Sequence, residues 1–257
     1  MKILVCAKQV PDPQAHVEID QNGSLTRPGQ PRWQMNRYDE FAVEAAVAIK
    51  KARPGVTAEV ISLGPPRTAA VLERAIGMGC DQGAQIITPE GLDLDARRTA
   101  ACLAGFAQGR GYDLILCGVM SEDAMQAQVG PMLAALLGWP WATAVVALEL
   151  DAQGRGLELW REAEGGERHG LHAPLPAVVC VQSGLNKPRY PSLSNLLRAK
   201  GQEHARVDWA DLPAPEPLVQ ISGLALPQRT RQGLFPQGDA TAKAQALARI
   251  LRDKALI

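Results

Sequence analysis

Apolar and polar positions fall in blocks whose period changes along the chain. Ile3 to Ala7 is a continuous apolar run containing β-branched residues, which predicts a strand buried on both faces. A long polar stretch follows, with Pro11-Asp12-Pro13, Gln21-Asn22-Gly23 and Arg27 to Pro31, and reads as a loop or small hairpin. Asp39 to Ala52 places Ala42, Ala45, Ala46 and Ile49 on one stripe of a helix, with Asp39 and Glu40 at its positive end and Pro54-Gly55 as its stop. Glu59 to Leu63 predicts a second strand ending at Gly64-Pro65-Pro66, and Leu72, Ala75, Ile76 and Gly79 trace the next helical face. The alternation continues with a strand at Ala84 to Thr88, a helix at Ala96 to Ala107, a strand at Asp113 to Cys117 and a helix through Val129, Met132, Leu133 and Leu136.

Buried strands alternating with amphipathic helices imply an α/β fold, an open and mostly parallel sheet with helices on both faces. The period shifts after Thr143. Ala144 to Leu150 and Gly156 to Arg161 read as a hairpin, Glu164 to Glu167 as a turn and Ala177 to Gln182 as a buried strand, together an antiparallel extension of the sheet. Beyond Lys200 come Pro213, Pro215 and Pro217, then a helix striped by Ala244, Leu247, Ala248 and Leu251. The expected organisation is a domain over residues 1–204 and a C-terminal arm over 205–257 that needs a surface to pack on.

Composition narrows the function. With 27 basic and 27 acidic side chains in 257 residues and 46% hydrophobic content, neither a disordered chain nor a nucleic-acid binder is expected. Cys6, Cys80, Cys102, Cys117 and Cys180 are scattered without a CxxC pair, so buried thiols are expected rather than disulfides or a zinc or iron–sulfur site. The apolar opening is too short for a signal peptide or a membrane span, and the expected compartment is the cytoplasm.

Ligands of open α/β sheets bind beyond the carboxyl ends of the strands, which singles out the loops beginning near Lys8, Gly64 and Gly118. The third of these runs Gly118, Val119, Met120, Ser121, Glu122, Asp123, Ala124, Met125, Gln126, Ala127, Gln128, Val129 and Gly130 before Pro131, and the free amides ahead of a helix suit a phosphate. No GxGxxG or GxxxxGK[ST] motif is present, and from spacing alone an ordinary βα loop is the favoured reading. His16, His169, His172 and His204 lie in polar or turn-like segments without a completing ligand cluster, and no GxSxG elbow occurs. Residue spacing alone therefore reaches a nucleotide-sized ligand at the edge of a parallel sheet.

Three segments together resemble the β subunit of electron-transfer flavoproteins. They are Leu-Val-Cys-Ala-Lys-Gln-Val-Pro-Asp at 4–12 with Met35 to Ala46, the stretch Gly118 to Pro140 with its Leu-Gly-Trp-Pro exit, and Leu175 to Lys200 with Leu-Asn-Lys-Pro-Arg-Tyr. The resemblance covers nearly the whole chain and implies an adenine-nucleotide-hydrolase-like, Rossmann-like fold. It implies a heterodimeric electron carrier whose α subunit holds FAD at a shared interface, fed by flavin-dependent dehydrogenases and emptied by a membrane or soluble acceptor, with no part embedded in a membrane.

The resemblance also implies an AMP pocket in this chain, or a second FAD there in electron-bifurcating members. That pocket would use Cys6, Asn36, Arg37, Tyr38, Asp39, Leu63 and the loop from Gly118 to Val129. Partner recognition would fall to Arg189, Tyr190, Leu193 and Arg198, with Leu193 as the anchoring side chain; from the residues alone, Leu193 as a core leucine stands at even weight. Where AMP-holding members carry acidic residues and Asn-x-Thr, this chain has Ala127-Gln128-Val129, so backbone amides would carry the phosphate. A homo-oligomeric ATP- or AMP-binding regulatory module of the universal-stress type is the alternative from another class; it expects a Gly-x-x-Gly motif that is not found after Gly118.

Overall fold

The computed structural model describes residues 1–21, 25–26, 29, 32–92, 94–219, 221–226 and 233–257. The chain opens with β1 (Lys2–Cys6), β2 (Gln9–Pro11), β3 (Glu18–Ile19), β4 (Leu25–Thr26) and β5 (Trp33–Met35). Next come α1 (Arg37–Ala52), β6 (Thr57–Gly64), α2 (Ala69–Met78), β7 (Gln82–Ile87), α3 (Ala96–Ala107), β8 (Leu114–Gly118) and α4 (Val129–Leu137). The rest of the chain holds β9 (Trp141–Leu150), β10 (Gly156–Glu162), β11 (Arg168–Pro174), β12 (Ala177–Val181), α5 (Leu193–Lys200), β13 (Ala205–Asp208) and α6 (Ala240–Asp253). The stretch expected as a loop or small hairpin contains the antiparallel pair β2–β5; Asn22, Gly23, Arg27, Pro28, Gln30 and Pro31 lie outside the described residues.

Nine strands form one sheet in the order β11-β10-β9-β12-β8-β1-β6-β7-β13. The run from β9 to β13 is parallel throughout, and β10 and β11 continue it antiparallel. The expected antiparallel extension is thus only partly found: β9 and β10 form the hairpin, but Ala177 to Val181 of β12 lies inside the parallel run, between β8 and β9, because its two apolar faces need helices or strands on both sides. Because β1 sits centrally and is covered on both faces, its alternate residues feed different cores. Ile3 and Val5 join α1 and α2 around Val43, Val47, Leu72 and Ile76. Leu4 and Cys6 join α3 and α4 around Leu103, Phe106 and Leu133. Burying a side chain of this size contributes roughly 1.5–3 kcal/mol, so these two layers are the main stabilising element of the sheet.

Three elements lie where no regular structure is expected from the hydrophobic pattern. Edge strand β11 carries His169 and His172, both exposed, and His172 Nδ1 lies 2.9 Å from Glu158 Oε1 across the strand pair; these histidines are on a strand, not in a turn. Helix α5 occupies the expected recognition loop, with Ser192 Oγ accepting from the Asn195 amide as its N-cap. His204 precedes β13 and is half-buried rather than superficial, with its Nδ1 enclosed and unpartnered.

Residue 205, the expected start of the arm, is the first residue of β13, which pairs in register with β7. The chain after β13 then lies along α3, where Arg98 Nε donates to Pro215 O at 2.8 Å and Arg97 to Glu216 O at 2.9 Å. The chain divides into two compact units, one of residues 1–17 and 26–222 and one of 18–25 and 223–257. In the second, α6 is capped by Asp239, has no buried residue and leaves Leu247 53% exposed.

All five cysteines are buried and unpaired, as expected. Among the described residues no helix is long and apolar enough to cross a membrane.

Candidate functional site

The chain turns from one side of the sheet to the other between β1 and β8, where the crevice of an open α/β sheet forms. A cavity of about 350 Å³ lies there, at the carboxyl ends of β1, β6 and β8. Its lining includes Cys6, Asn36, Asp39, Leu63, Gly118, Val119, Met120, Ser121, Asp123, Ala124, Gln126, Ala127, Gln128 and Val129. Of the other expected pocket residues, Arg37, Tyr38, Glu122 and Met125 stand beside the cavity and outside its lining, Met125 being 66% exposed.

The N-terminus of α1 holds the crevice together. Asn36 donates through Nδ2 to Met120 O at 2.9 Å and accepts at Oδ1 from the Glu122 amide at 3.1 Å, so one side chain clamps the start of the loop after β8. The Asp39 carboxylate, at the floor, accepts from the Lys8 amide at 2.7 Å and the Gly118 amide at 2.9 Å, tying the ends of β1 and β8 to the helix. Gly118 is required by this contact: a Cβ there would meet Asp39 Oδ1 at 2.5 Å and Tyr38 Cβ at 2.6 Å. Lys8 spans the mouth, its Nζ 2.8 Å from Asp123 Oδ1. Burial raises Asp123, but the hydrogen bond and charge of Lys8 outweigh it and hold the carboxyl below its usual range.

Burial lifts Asp39 from 3.8 to about 7, against the pull of the two amides and Lys8. The folded chain therefore holds this proton more tightly than the unfolded chain does. The group's contribution to stability falls as pH rises from about 4 to about 7 and is flat above. Asp39→Asn should remove that slope: the urea midpoint of the wild type minus that of the variant should fall across this window. A pH-independent difference would show that Asp39 titrates normally.

Beyond β8 the backbone takes an unusual path. Met125 and Ala127 have φ of 52° and 53°, in the left-handed region, while Gln128 at φ −101° and ψ −30° is right-handed. The Met125 amide is taken by Ser121 O at 2.8 Å, and a left-handed residue followed by a right-handed one, as at Ala127 and Gln128, is the backbone pattern of anion-binding concavities. The stretch leads directly into α4, whose first amides are free of intrahelical partners. Neither Ala127 nor Val129 has a polar side-chain atom to offer, so any donors at these two positions are main-chain amides.

The cavity also extends where sequence reasoning did not look. Thr88, Leu92, Leu94, Thr99 and Leu103 form a wall from the loop after β7 and from α3, and applying the crevice rule to that strand would have found it. Trp33 and Arg67 line the far end, the guanidinium 3.7 Å from the indole ring centre, and nothing in their spacing signalled the pairing.

The expected recognition residues sit apart from the cavity. Tyr190 is 86% and Leu193 73% exposed, and Arg198 is exposed; the exposure of Leu193 excludes its reading as a core leucine. Arg189 turns inward instead, its Nε 2.7 Å from Glu44 Oε2.

The description "Electron transfer flavoprotein domain" belongs to the family model that residues 29–212 match. The electron transfer flavoprotein subunit beta of Bacillus subtilis is 32% identical over all of both chains. This chain belongs to the electron transfer flavoprotein family. The subunit beta of Homo sapiens is likewise 32% identical, over 97% of this chain and 99% of its own. That of Bradyrhizobium diazoefficiens is 34% identical over 82% and 83%. The match to the electron transfer flavoprotein domain takes in α1, the whole loop after β8 and α5, and thus most of the crevice.

Proposed function

We propose that this chain is the β subunit of a heterodimeric electron-transfer flavoprotein and that its crevice holds an adenine nucleotide. The subunit carries electrons from flavin-dependent dehydrogenases to a downstream acceptor. When bound, FAD, held mainly by the α subunit at the shared interface, supplies the electron-accepting ring; this chain contributes binding and orientation and no turnover residues of its own.

The observation that carries the nucleotide reading is the cavity wall of Gln126 to Gly130, where the left-handed Ala127 and right-handed Gln128 lead into the N-terminus of α4. AMP is the occupant the site suits best. A cavity of about 350 Å³ is at the low end for small-molecule sites, and Leu63, Leu92 and Leu103 provide an apolar wall for a base. The Ala127-Gln128-Val129-Gly130-Pro131 ending, which resembles that of bifurcating members, makes a second FAD the other reading. Partner recognition is assigned to Tyr190, Leu193 and Arg198, where exposed apolar groups stand beside exposed positive charge. The segment of residues 223–257 is assigned to the α subunit, since its amphipathic helix α6 has no fully buried residue and leaves Leu247 exposed.

Acid extraction of the purified heterodimer followed by chromatography tests the reading. One FAD with one AMP supports the simple carrier, and two FAD the bifurcating form. A single FAD without further adenylate overturns the pocket assignment, and a colourless homodimer overturns the function.

A further inference from the structure

Tyr190, Leu193 and Leu197 point their side chains into solvent, so they cannot fix the position of their own segment by burial. It is fixed from beneath, by the buried Pro191 and Ala199 and by charge. Glu44, in the middle of α1, is buried, and both its oxygens are occupied by one arginine. The Arg189 amide and Nε donate to Oε2 at 3.0 and 2.7 Å, and the guanidinium donates to Oε1 at 2.5 Å. Burial raises Glu44, but the Arg189 hydrogen bonds and charge outweigh it and keep the carboxyl below its usual range. A bidentate pair that also takes the main-chain amide fixes backbone as well as side chain.

Neighbouring contacts extend the clamp. Asn186 Nδ2 donates to Phe41 O at 2.9 Å, one turn earlier on α1. Glu40, also one turn earlier, holds the Arg74 guanidinium at 2.7 Å, and Arg74 lies 5.1 Å from the centre of the Tyr190 ring. Helix α5 closes on α2 at Gly77, where a Cβ would meet Leu196 and Pro191 at 3.0 and 3.1 Å. Clamped residues at 186, 189 and 191 and solvent-facing ones at 190 and 192–195 share the segment, as suits a surface built before its partner arrives.

We infer that Glu44 is a positioning residue for partner docking: through Arg189 it holds residues 186–193 in the geometry a dehydrogenase meets, without touching the dehydrogenase. This rests on the assignment of Tyr190, Leu193 and Arg198 to partner recognition. Glu44→Gln keeps the shape but loses the charge that orders the fork. In the reconstituted heterodimer, with a purified flavin-dependent dehydrogenase that reduces the wild type, it should raise KM for that dehydrogenase about tenfold. It should leave kcat within about twofold, because chemistry at the flavin is unchanged. Glu44→Asp should recover part of the loss. Leu193→Ala should raise KM by itself, and Glu44→Gln added to it should raise KM little further, since both act on one contact.

If Leu193→Ala leaves KM unchanged, the recognition assignment falls and this inference with it. If Leu193→Ala raises KM but Glu44→Gln lowers only the melting temperature, or if the two effects on KM multiply in full, the assignment stands and Glu44 is a structural residue alone. Amide exchange guards against misfolding: faster exchange confined to residues 186–200 supports the positioning role, and faster exchange throughout the sheet overturns it.

Discussion

Ala127→Asp should empty the crevice. Ala127 lines the cavity, and a carboxylate about 5 Å from a bound phosphate at an effective dielectric near 20 is repelled by roughly 3 kcal/mol per charge pair, more than a hundredfold in affinity. The fold should survive, because aspartate is among the residues that tolerate the left-handed conformation at this position. The paired control is Ala127→Gly, which should retain the nucleotide and gain about 1 kcal/mol of stability by relieving the backbone. Chromatography of extracted nucleotide and chemical denaturation check both. Full adenylate content in the Ala127→Asp heterodimer would move the phosphate elsewhere.

The second large effect concerns the unit at residues 223–257. A chain ending at Ser222 should fold with little change in melting temperature, since both core layers lie before that point. It should bind the α subunit at least about a hundredfold more weakly, as expected when the exposed Phe235, Leu247 and Ile257 lose the burial that association would give them. Titration calorimetry against the isolated α subunit would measure this. Unchanged affinity would remove the arm from the interface.

Legibility in the sequence followed burial. Strands β1, β6, β8 and β12 have both faces covered, so Ile3 to Cys6 and Ala177 to Val181 stand out as unbroken apolar runs. Strands β11 and β13 lie at the edges, where one side meets water, and Arg-His-Gly-Leu-His-Ala-Pro has no alternation to read. Helix α5 was hidden for the opposite reason: Leu193 and Leu197 belong to its exposed face, so its apolar residues do not trace one buried stripe.

The site was legible by place and not by role. The strand-end loops locate the crevice from topology alone, yet the clamp of Asn36 on Met120 joins residues 84 positions apart and leaves no local trace. Arg189 shows the same limit. A positive charge beside exposed leucines reads as a docking contact until the fold brings Glu44 beneath it.

The two ends of the nine-stranded sheet bear on how larger assemblies can grow. An outermost strand offers unpaired amides and carbonyls to any passing strand, and chains commonly blunt that invitation with charge, short length or proline. Here β11 presents Arg168, His169 and His172 and finishes at Pro174, while β13 is four residues long and includes Arg206 and Asp208. Neither border is a good template for a neighbour's backbone, and among the described residues the sheet has nine strands. In the proposed heterodimer the subunits would then meet away from these edges, through contacts that can form and part without unpicking a ladder of main-chain hydrogen bonds.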